Sequence, residues 1–122
     1  MGKRILILED EPNIVESLTF ILNRAGFEVT TAADGAAAMG AIEGARPDLV
    51  ILDVMLPNRS GFDILRDIRG KSATEALPVL MLTARGQARD RQEAEDIGAD
   101  EFMTKPFSNE EIVATVRRLA GA

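Results

Sequence analysis

The sequence predicts an α/β fold, a doubly wound five-stranded parallel sheet flanked by five helices. Three short runs of consecutive apolar residues, 5–8, 49–52 and 79–82, are typical of strands buried on both faces. Stretches with helical spacing lie between these runs, and this alternation indicates parallel strands joined by helices. Two weaker strand candidates, residues 27–31 and 102–103, belong at the edges, so we expect the strand order 2-1-3-4-5.

The length and composition fit one domain with one core. The 122 residues include no Cys and no His, which excludes disulfides, a thiolate nucleophile and a histidine base. A net charge of -6 argues against direct binding to nucleic acid. No apolar stretch approaches the roughly 20 residues that a membrane span needs, and no signal peptide is recognisable, so we expect a cytoplasmic protein.

The first helix is predicted over residues 12–25, with Pro12 in its first turn and Gly26 as its C-terminal stop. Its inward stripe consists of Ile14, Leu18, Ile21, Leu22 and Ala25. The second strand alternates apolar and polar residues, as expected of an edge strand with one wetter face. The residues expected on its drier face are Phe27, Val29 and Thr31.

The three middle helices have less distinct boundaries. The second is predicted near residues 35–43 and the third near residues 62–69. Their inward residues are Ala37, Ala38, Met39 and Ile42 in the second, and Phe62, Ile64, Leu65 and Ile68 in the third. The fourth, residues 87–97, has only Ala88, Ala94 and Ile97 as apolar residues among charged neighbours, so we expect it to be loosely held. Residues 34–35 and 58–61 are interpreted as turns.

The last helix has clear signals at both ends. Ser108 stands at its N-cap position with Glu111 three residues later, which is a capping box. Gly121 ends the helix. Its inward residues are Ile112, Val113, Val116 and Leu119.

Polar side chains follow the strands at the edge of the sheet where doubly wound folds bind ligands. The first strand is followed by Glu9 and Asp10, the third by Asp53, the fourth by Thr83, and the fifth by a segment that reaches Lys105. Three carboxylates that converge on one edge repel each other, so they require a neutralising partner or raised pKa values. Mg²⁺ fits best, because it prefers a few carboxylates, water and phosphate oxygens.

With neither His nor Cys available, Asp53 is the expected nucleophile, and an aspartate can form an acyl phosphate. Phosphoryl transfer requires mainly positioning and charge stabilisation. Mg²⁺ and Lys105 could supply the charge while Thr83 donates a hydrogen bond.

Four segments together resemble the receiver domain of two-component response regulators, the CheY-like family. They are ILEDEP ending at Pro12, LVILDVMLPNRSGFD over residues 49–63, LTA over residues 82–84, and GADEFMTKPFS over residues 98–108. Each segment alone is weak, but their combination, in order and at family spacing, is specific and covers essentially the whole chain. The resemblance implies one receiver domain over residues 1–122, with no output domain in this sequence.

The resemblance also implies a reaction. A sensor histidine kinase or a phosphotransfer protein would donate a phosphoryl group from phosphohistidine to Asp53. The implied site residues are the acceptor Asp53; the Mg²⁺ ligands Asp10, Asp53 and the backbone carbonyl of Met55, with Glu9 acting through water; and Lys105, Thr83 and the backbone amide of Ala84 around the phosphoryl group. The Lys105-Pro106 bond is expected to be cis.

The family further implies a switch. Phe102 resembles the aromatic residue that turns inward as Thr83 moves toward the phosphate, although it lacks the hydroxyl of the commoner Tyr. The surface formed by the fourth helix, fifth strand and fifth helix is expected to contact a downstream partner. A phosphorylation-dependent homodimer through this surface stays open: Arg91, Glu101 and Glu111 fit its ion-pair pattern, but Thr115 stands where an Arg is expected.

Two other functions remain as alternatives. One is a Mg²⁺-dependent phosphatase for small molecules with an aspartyl-phosphate intermediate, and the other is an inert scaffold with a receiver-like fold. The first lacks an obvious second Asp beside the nucleophile, and the full set of four strand-end residues argues against the second. We therefore expect a signalling module that catalyses its own phosphorylation and slow autodephosphorylation, not a turnover enzyme.

Overall fold

A computed structural model describes residues 2–84 and 88–121 and confirms the expected fold class. All strand pairs are parallel, and the strand order is β2-β1-β3-β4-β5. The strands are β1 Arg4–Leu8, β2 Glu28–Ala32, β3 Leu49–Asp53, β4 Val79–Thr83 and β5 Glu101–Thr104. The order reverses between β1 and β3, and this places the carboxyl end of β3 at the expected ligand edge.

Five α-helices connect the strands and cover both faces of the sheet. They are α1 Pro12–Arg24, α2 Ala38–Ala45, α3 Gly61–Gly70, α4 Ala88–Ile97 and α5 Asn109–Ala120. Four agree with the sequence prediction to within two residues at each end, although the predicted start of α4 at Gln87 lies outside the described residues. No helix of the described chain is both long and apolar enough to cross a membrane.

The core lies in two layers because successive strand residues point to opposite faces of the sheet. On β1, Leu6 and Leu8 face the layer under α2, α3 and α4, whereas Ile5 and Ile7 face the layer under α1 and α5. The same alternation places Phe102 of β5 on the α4 side. All five residues of β3 and of β4 are buried, as expected of central strands.

Two expected inward residues are exposed. The second helix was expected from residue 35, but Gly35–Ala37 form a 3-10 turn and the α-helix starts at Ala38. Ala37 is exposed because the tighter turn rotates it away from the buried face. Thr31 is also exposed, since β2 is an edge strand and its carboxyl end is only partly covered.

Helix ends follow the sequence signals closely. The Ser108 hydroxyl accepts a hydrogen bond from the Glu111 amide at 3.0 Å, which fixes the first turn of α5. Gly121 adopts φ 79° after the last turn of that helix, and Gly26 adopts φ 97° after α1. One feature of α4 was not predicted: Asp90, in its first turn, is buried.

The start of α3 lies directly against the end of β3. The amide of Gly61 donates to the carbonyl of Val54 at 2.9 Å. A Cβ atom at Gly61 would lie 2.3 Å from the Asp53 carbonyl oxygen, so only glycine permits this approach. The packing of α3 thus fixes the backbone that carries Asp53.

Candidate functional site

A pocket of about 400 Å³ opens at the carboxyl ends of the central strands. Its lining residues are Glu9, Asp10, Glu11, Pro12, Asp53, Met55, Thr83, Ala84 and Lys105. Every site residue predicted around the metal and the phosphoryl group is therefore in one place. The rule that strand ends converge predicted Glu9, Asp10, Asp53, Thr83 and Lys105, whereas Met55 and Ala84 came from the family resemblance.

Asp53 lies at the floor of this pocket. Asp53 is 5% exposed, and its Oδ1 accepts a hydrogen bond from the Met55 amide at 3.1 Å. Its second oxygen, Oδ2, is 3.4 Å from Lys105 Nζ. The carboxylate is thus held by the backbone on one side and faces a cation on the other.

Glu9 makes direct contacts in the pocket that the sequence did not predict. It is 2% exposed, and its Oε1 accepts a hydrogen bond from Lys105 Nζ at 2.6 Å. Its Oε2 accepts from the Glu11 amide at 3.1 Å. The sequence reasoning assigned Glu9 a role through water and did not foresee this ion pair, since the pairing depends on how β1 and the segment after β5 meet.

Oxygen atoms of three carboxylates come together at the pocket. One oxygen each from Glu9, Asp10 and Asp53 lie within 4.8 Å of one another. Asp10 is exposed, and so is Met55, at 58%. Carboxylate oxygens are hard ligands, and a cluster of a few of them suits Mg²⁺.

The carboxyl groups differ in their affinity for protons. Burial raises the pKa of Asp53 to about 7, and the adjacent Glu9 acts in the same direction. Burial would raise the pKa of Glu9 too, but hydrogen bonds with Asp53 and Lys105 outweigh it and lower that pKa. Burial opposes the charge on Lys105, yet Glu9 and Asp53 raise its pKa. In the metal-free site at neutral pH, Glu9 and Lys105 are charged, whereas Asp53 is present in both its protonated and its ionised form.

The raised pKa of Asp53 predicts a pH-dependent stability. A carboxyl group with a pKa near 7 in the folded state and 3.8 in its ordinary state stabilises the fold at low pH, and that stabilisation is lost as the pH rises through 7. We expect the free energy of unfolding, measured with urea in EDTA, to fall by about 1–3 kcal/mol between about pH 5 and about pH 8. The shifts of Glu9 and Lys105 act below and above this window.

Asp53→Asn is the matched variant for this measurement, because it keeps the shape of the side chain and removes its titration. Its unfolding free energy should change much less over the same pH range. An equal slope in the variant would show that another group is responsible.

The remaining predicted residues are also placed. Thr83 is buried at the end of β4, and Ala84 is exposed immediately after it. The Lys105-Pro106 peptide bond is cis. Phe102 is 5% exposed, so its ring already occupies an inward position.

A comparison with protein families identifies the chain. The family model of the response regulator receiver domain matches residues 5–117, which is nearly its whole length. The chain belongs to the response regulator receiver family. Receiver domains are signalling modules and in general not turnover enzymes, they bind Mg²⁺ in their acidic site, and they interact with histidine kinases and downstream effectors.

Known proteins agree with this assignment. The receiver domain is 44% identical over 115 residues to the probable transcriptional regulatory protein TcrX of Mycobacterium tuberculosis, covering 94% of this chain and 48% of that protein. It thus spans about half the length of the curated relatives it matches. A crystal structure of a putative response regulator from Chloroflexus aurantiacus superposes with a TM-score of 0.94 at 34% identity, covering 100% of both chains.

A second solved structure resembles it closely. The receiver domain of the sensor histidine kinase PA1611 from Pseudomonas aeruginosa, described with a magnesium ion in its active-site cleft, gives a TM-score of 0.91 at 30% identity with 100% of both chains covered. These neighbours establish the fold and family of the present receiver domain.

The face formed by α4, β5 and α5 contains a second pocket, of about 320 Å³. The Arg91 guanidinium lies 5.0 Å from the centroid of the Phe102 ring, and its Nη1 donates to the Phe102 carbonyl at 3.4 Å. The Glu101 carboxylate accepts a hydrogen bond from Arg118 at 2.6 Å. Arg118 follows Thr115 by about one helical turn. Helix α5 therefore presents a cation to Glu101 although Thr115 stands where an Arg was expected.

Proposed function

We propose that this receiver domain accepts a phosphoryl group from a histidine kinase or phosphotransfer protein on Asp53, and that the transfer depends on Mg²⁺. The observation that supports the proposal is the buried Asp53 carboxylate, which lies close to the carboxylates of Glu9 and Asp10 and to the Lys105 ammonium. An isolated buried carboxylate would be unfavourable; Lys105 compensates part of its charge, and the neighbouring acids leave a negative charge that a cation would neutralise.

The reaction follows from the chemistry of the two groups. Asp53, once deprotonated, forms a bond from a carboxylate oxygen to phosphorus while the phosphorus–nitrogen bond of the donor breaks. The electron pair of that bond stays on the ring nitrogen, which leaves as neutral imidazole when the other ring nitrogen carries a proton. One base takes the proton from Asp53, and the phosphoryl transfer itself needs no other base.

Asp10, Asp53 and the Met55 carbonyl would hold the Mg²⁺, and Glu9 would act through water. When bound, Mg²⁺ neutralises the phosphoryl oxygens and favours the ionised form of Asp53. The observed oxygen cluster fits this role, and the P. aeruginosa neighbour described with magnesium supports it.

Lys105 and the end of β4 would bind the transferred group. In the present structure Lys105 is closer to Glu9, at 2.6 Å, than to Asp53, at 3.4 Å. Lys105 would therefore exchange a carboxylate partner for a phosphoryl oxygen, while Thr83 and the Ala84 amide bind the other oxygens. The exchange replaces one charge-assisted hydrogen bond with another.

Phosphorylation would then alter the α4-β5-α5 face. The added charge at Asp53 would favour movement of Thr83 and bias the position of the Phe102 ring, which Arg91 contacts. A downstream protein, an output domain or a second copy of the chain would bind this face. A dimer would use Arg91, Glu101 and Glu111, and Glu101 would first have to leave Arg118 in its own chain.

We propose further that residues 1–122 form one phosphoacceptor unit without turnover activity toward small phosphate esters, located in the cytoplasm with its kinase. It would catalyse its own phosphorylation and a slow autodephosphorylation. The alternatives are a Mg²⁺-dependent phosphatase, which would turn over phosphate esters, and an inert scaffold, which would not react with a phosphorus–nitrogen donor.

Phosphoramidate provides that donor. With Mg²⁺, we expect a phosphoprotein that phosphate-affinity electrophoresis separates from the unmodified protein. Hydroxylamine should remove the phosphoryl group, because it cleaves acyl phosphates. EDTA should prevent formation of the phosphoprotein. The phosphatase alternative predicts sustained Mg²⁺-dependent hydrolysis of p-nitrophenyl phosphate. The scaffold alternative predicts no phosphoprotein under any of these conditions.

A further inference from the structure

The loop that joins β3 to α3, residues 54–60, carries the Met55 carbonyl that we assign to Mg²⁺. The loop itself contains no helix or strand, and its Arg59 forms an ion pair with Asp67 of α3. Its ends are tied to the site, because the Met55 amide donates to Asp53 Oδ1 at 3.1 Å and the Gly61 amide donates to the Val54 carbonyl at 2.9 Å. Its middle is exposed apart from the half-buried Leu56, and a segment from another part of the chain also holds it.

The connection between β2 and α2 holds the middle of this loop at two points. The Gly35 amide donates to the Pro57 carbonyl at 3.0 Å, and Asn58 Nδ2 donates to Asp34 Oδ2 at 2.8 Å. The other carboxylate oxygen of Asp34 accepts from the Ala36 amide at 2.7 Å. Asp34 is thus fixed within its own turn and also binds the neighbouring loop.

Two backbone features show that the contact is closely fitted. A Cβ atom at Gly35 would lie 2.6 Å from the Arg59 carbonyl oxygen, so a side chain at this position would separate the two segments. Asn58 adopts φ 68°, a left-handed conformation that Asn tolerates better than most residues. The sequence indicates a turn at each segment, and the fold brings the two turns together.

We propose that Asp34 is a positioning residue for Mg²⁺ binding. Through Asn58 it holds loop 54–60 in place, so that Met55 is already at the pocket before the ion binds. A ligand that is ordered beforehand loses less conformational entropy on binding. Removal of the Asp34 contact should weaken Mg²⁺ binding without removing any ligand. This inference rests on the proposed function of the Asp53 site.

Two variants break the contact from opposite sides. Asp34→Ala removes the acceptor, and Asn58→Gly removes the donor while keeping a residue that suits the φ of 68°. The matched control is Asp48→Ala. Asp48 Oδ2 likewise accepts a backbone hydrogen bond, from the Arg4 amide at 2.8 Å. Asp48 precedes the amino end of β3, whereas the pocket lies at the carboxyl end of that strand.

Two measurements test the inference. Isothermal titration calorimetry should show an Mg²⁺ dissociation constant about 5- to 20-fold higher in both variants than in wild type, and unchanged in Asp48→Ala. Hydrogen exchange in EDTA should show faster exchange in residues 54–60 for both variants. Saturating Mg²⁺ should restore phosphorylation of the variants, because no ligand or reacting group has been removed.

Equal Mg²⁺ affinity in wild type and both variants, or an equal loss in Asp48→Ala, overturns the role of Asp34 and leaves the proposed function intact. Unchanged exchange in residues 54–60 also overturns it. If the wild-type domain itself does not bind Mg²⁺, both the inference and the proposed function are wrong.

Discussion

Replacing Lys105 with alanine is expected to slow phosphoryl transfer to Asp53 by about 100- to 1000-fold. Among the described residues that line the pocket, Lys105 supplies the positive charge. Its Nζ lies 3.4 Å from Asp53 Oδ2, close to where the phosphoryl oxygens would lie. The pseudo-first-order rate of phosphorylation by phosphoramidate, at saturating Mg²⁺, measures the effect.

The Mg²⁺ affinity separates this electrostatic role from a structural one. Lys105→Ala removes a positive charge near the acidic cluster, so Mg²⁺ should bind as tightly as in wild type or more tightly. Lys71→Ala, at an exposed position after α3, is the control and should leave the rate unchanged. A phosphorylation rate in Lys105→Ala within a few-fold of wild type would exclude the assigned role.

Replacing Arg69 with alanine is expected to lower the free energy of unfolding by about 2–4 kcal/mol. The Arg69 side chain is 19% exposed and donates to four acceptors. They are the carbonyls of Gly98 at 2.9 Å, Glu75 at 3.2 Å and Leu77 at 2.7 Å, and Asp100 Oδ2 at 2.9 Å. Arg69 therefore joins the end of α3 to the segments that precede β4 and β5.

Arg66→Ala is the matched control for this stability measurement. Arg66 is on the same helix and pairs with Asp63 and Glu93, but its side chain is exposed, and such pairs contribute about 0–1 kcal/mol. Arg69→Lys should lose most of the stabilisation that Arg69 contributes, because an ammonium cannot reach all the acceptors arranged around a guanidinium. Urea unfolding that shows equal losses for Arg66→Ala and Arg69→Ala would contradict this account.

The sequence predicted the fold because the strand signals are local. The runs at residues 49–52 and 79–82 need only burial on both faces to be recognised, and the strand-end rule then placed Asp53, Thr83 and Lys105 at one edge. The capped helix α5 was predicted from Ser108 and Gly121 for the same reason.

Contacts between distant segments could not be predicted in this way. Arg69 resembles any basic residue in the last turn of a helix, and only the approach of two loops gives it four acceptors. The ion pair of Glu9 with Lys105 joins residues 96 positions apart in the chain. The contact between Asp34 and Asn58 is similar, since each residue alone indicates only a turn. These contacts depend on loop geometry, which composition and periodicity do not encode.

The central claim is that Asp53 receives the phosphoryl group, and intact-mass spectrometry tests it most directly. Wild-type protein and Asp53→Ala are each incubated with acetyl phosphate and Mg²⁺. We expect wild type to gain about 80 Da, the mass of one phosphoryl group, and Asp53→Ala to keep its original mass. An adduct that persists in Asp53→Ala, or wild type that forms no adduct and also fails to bind beryllofluoride, would contradict the account.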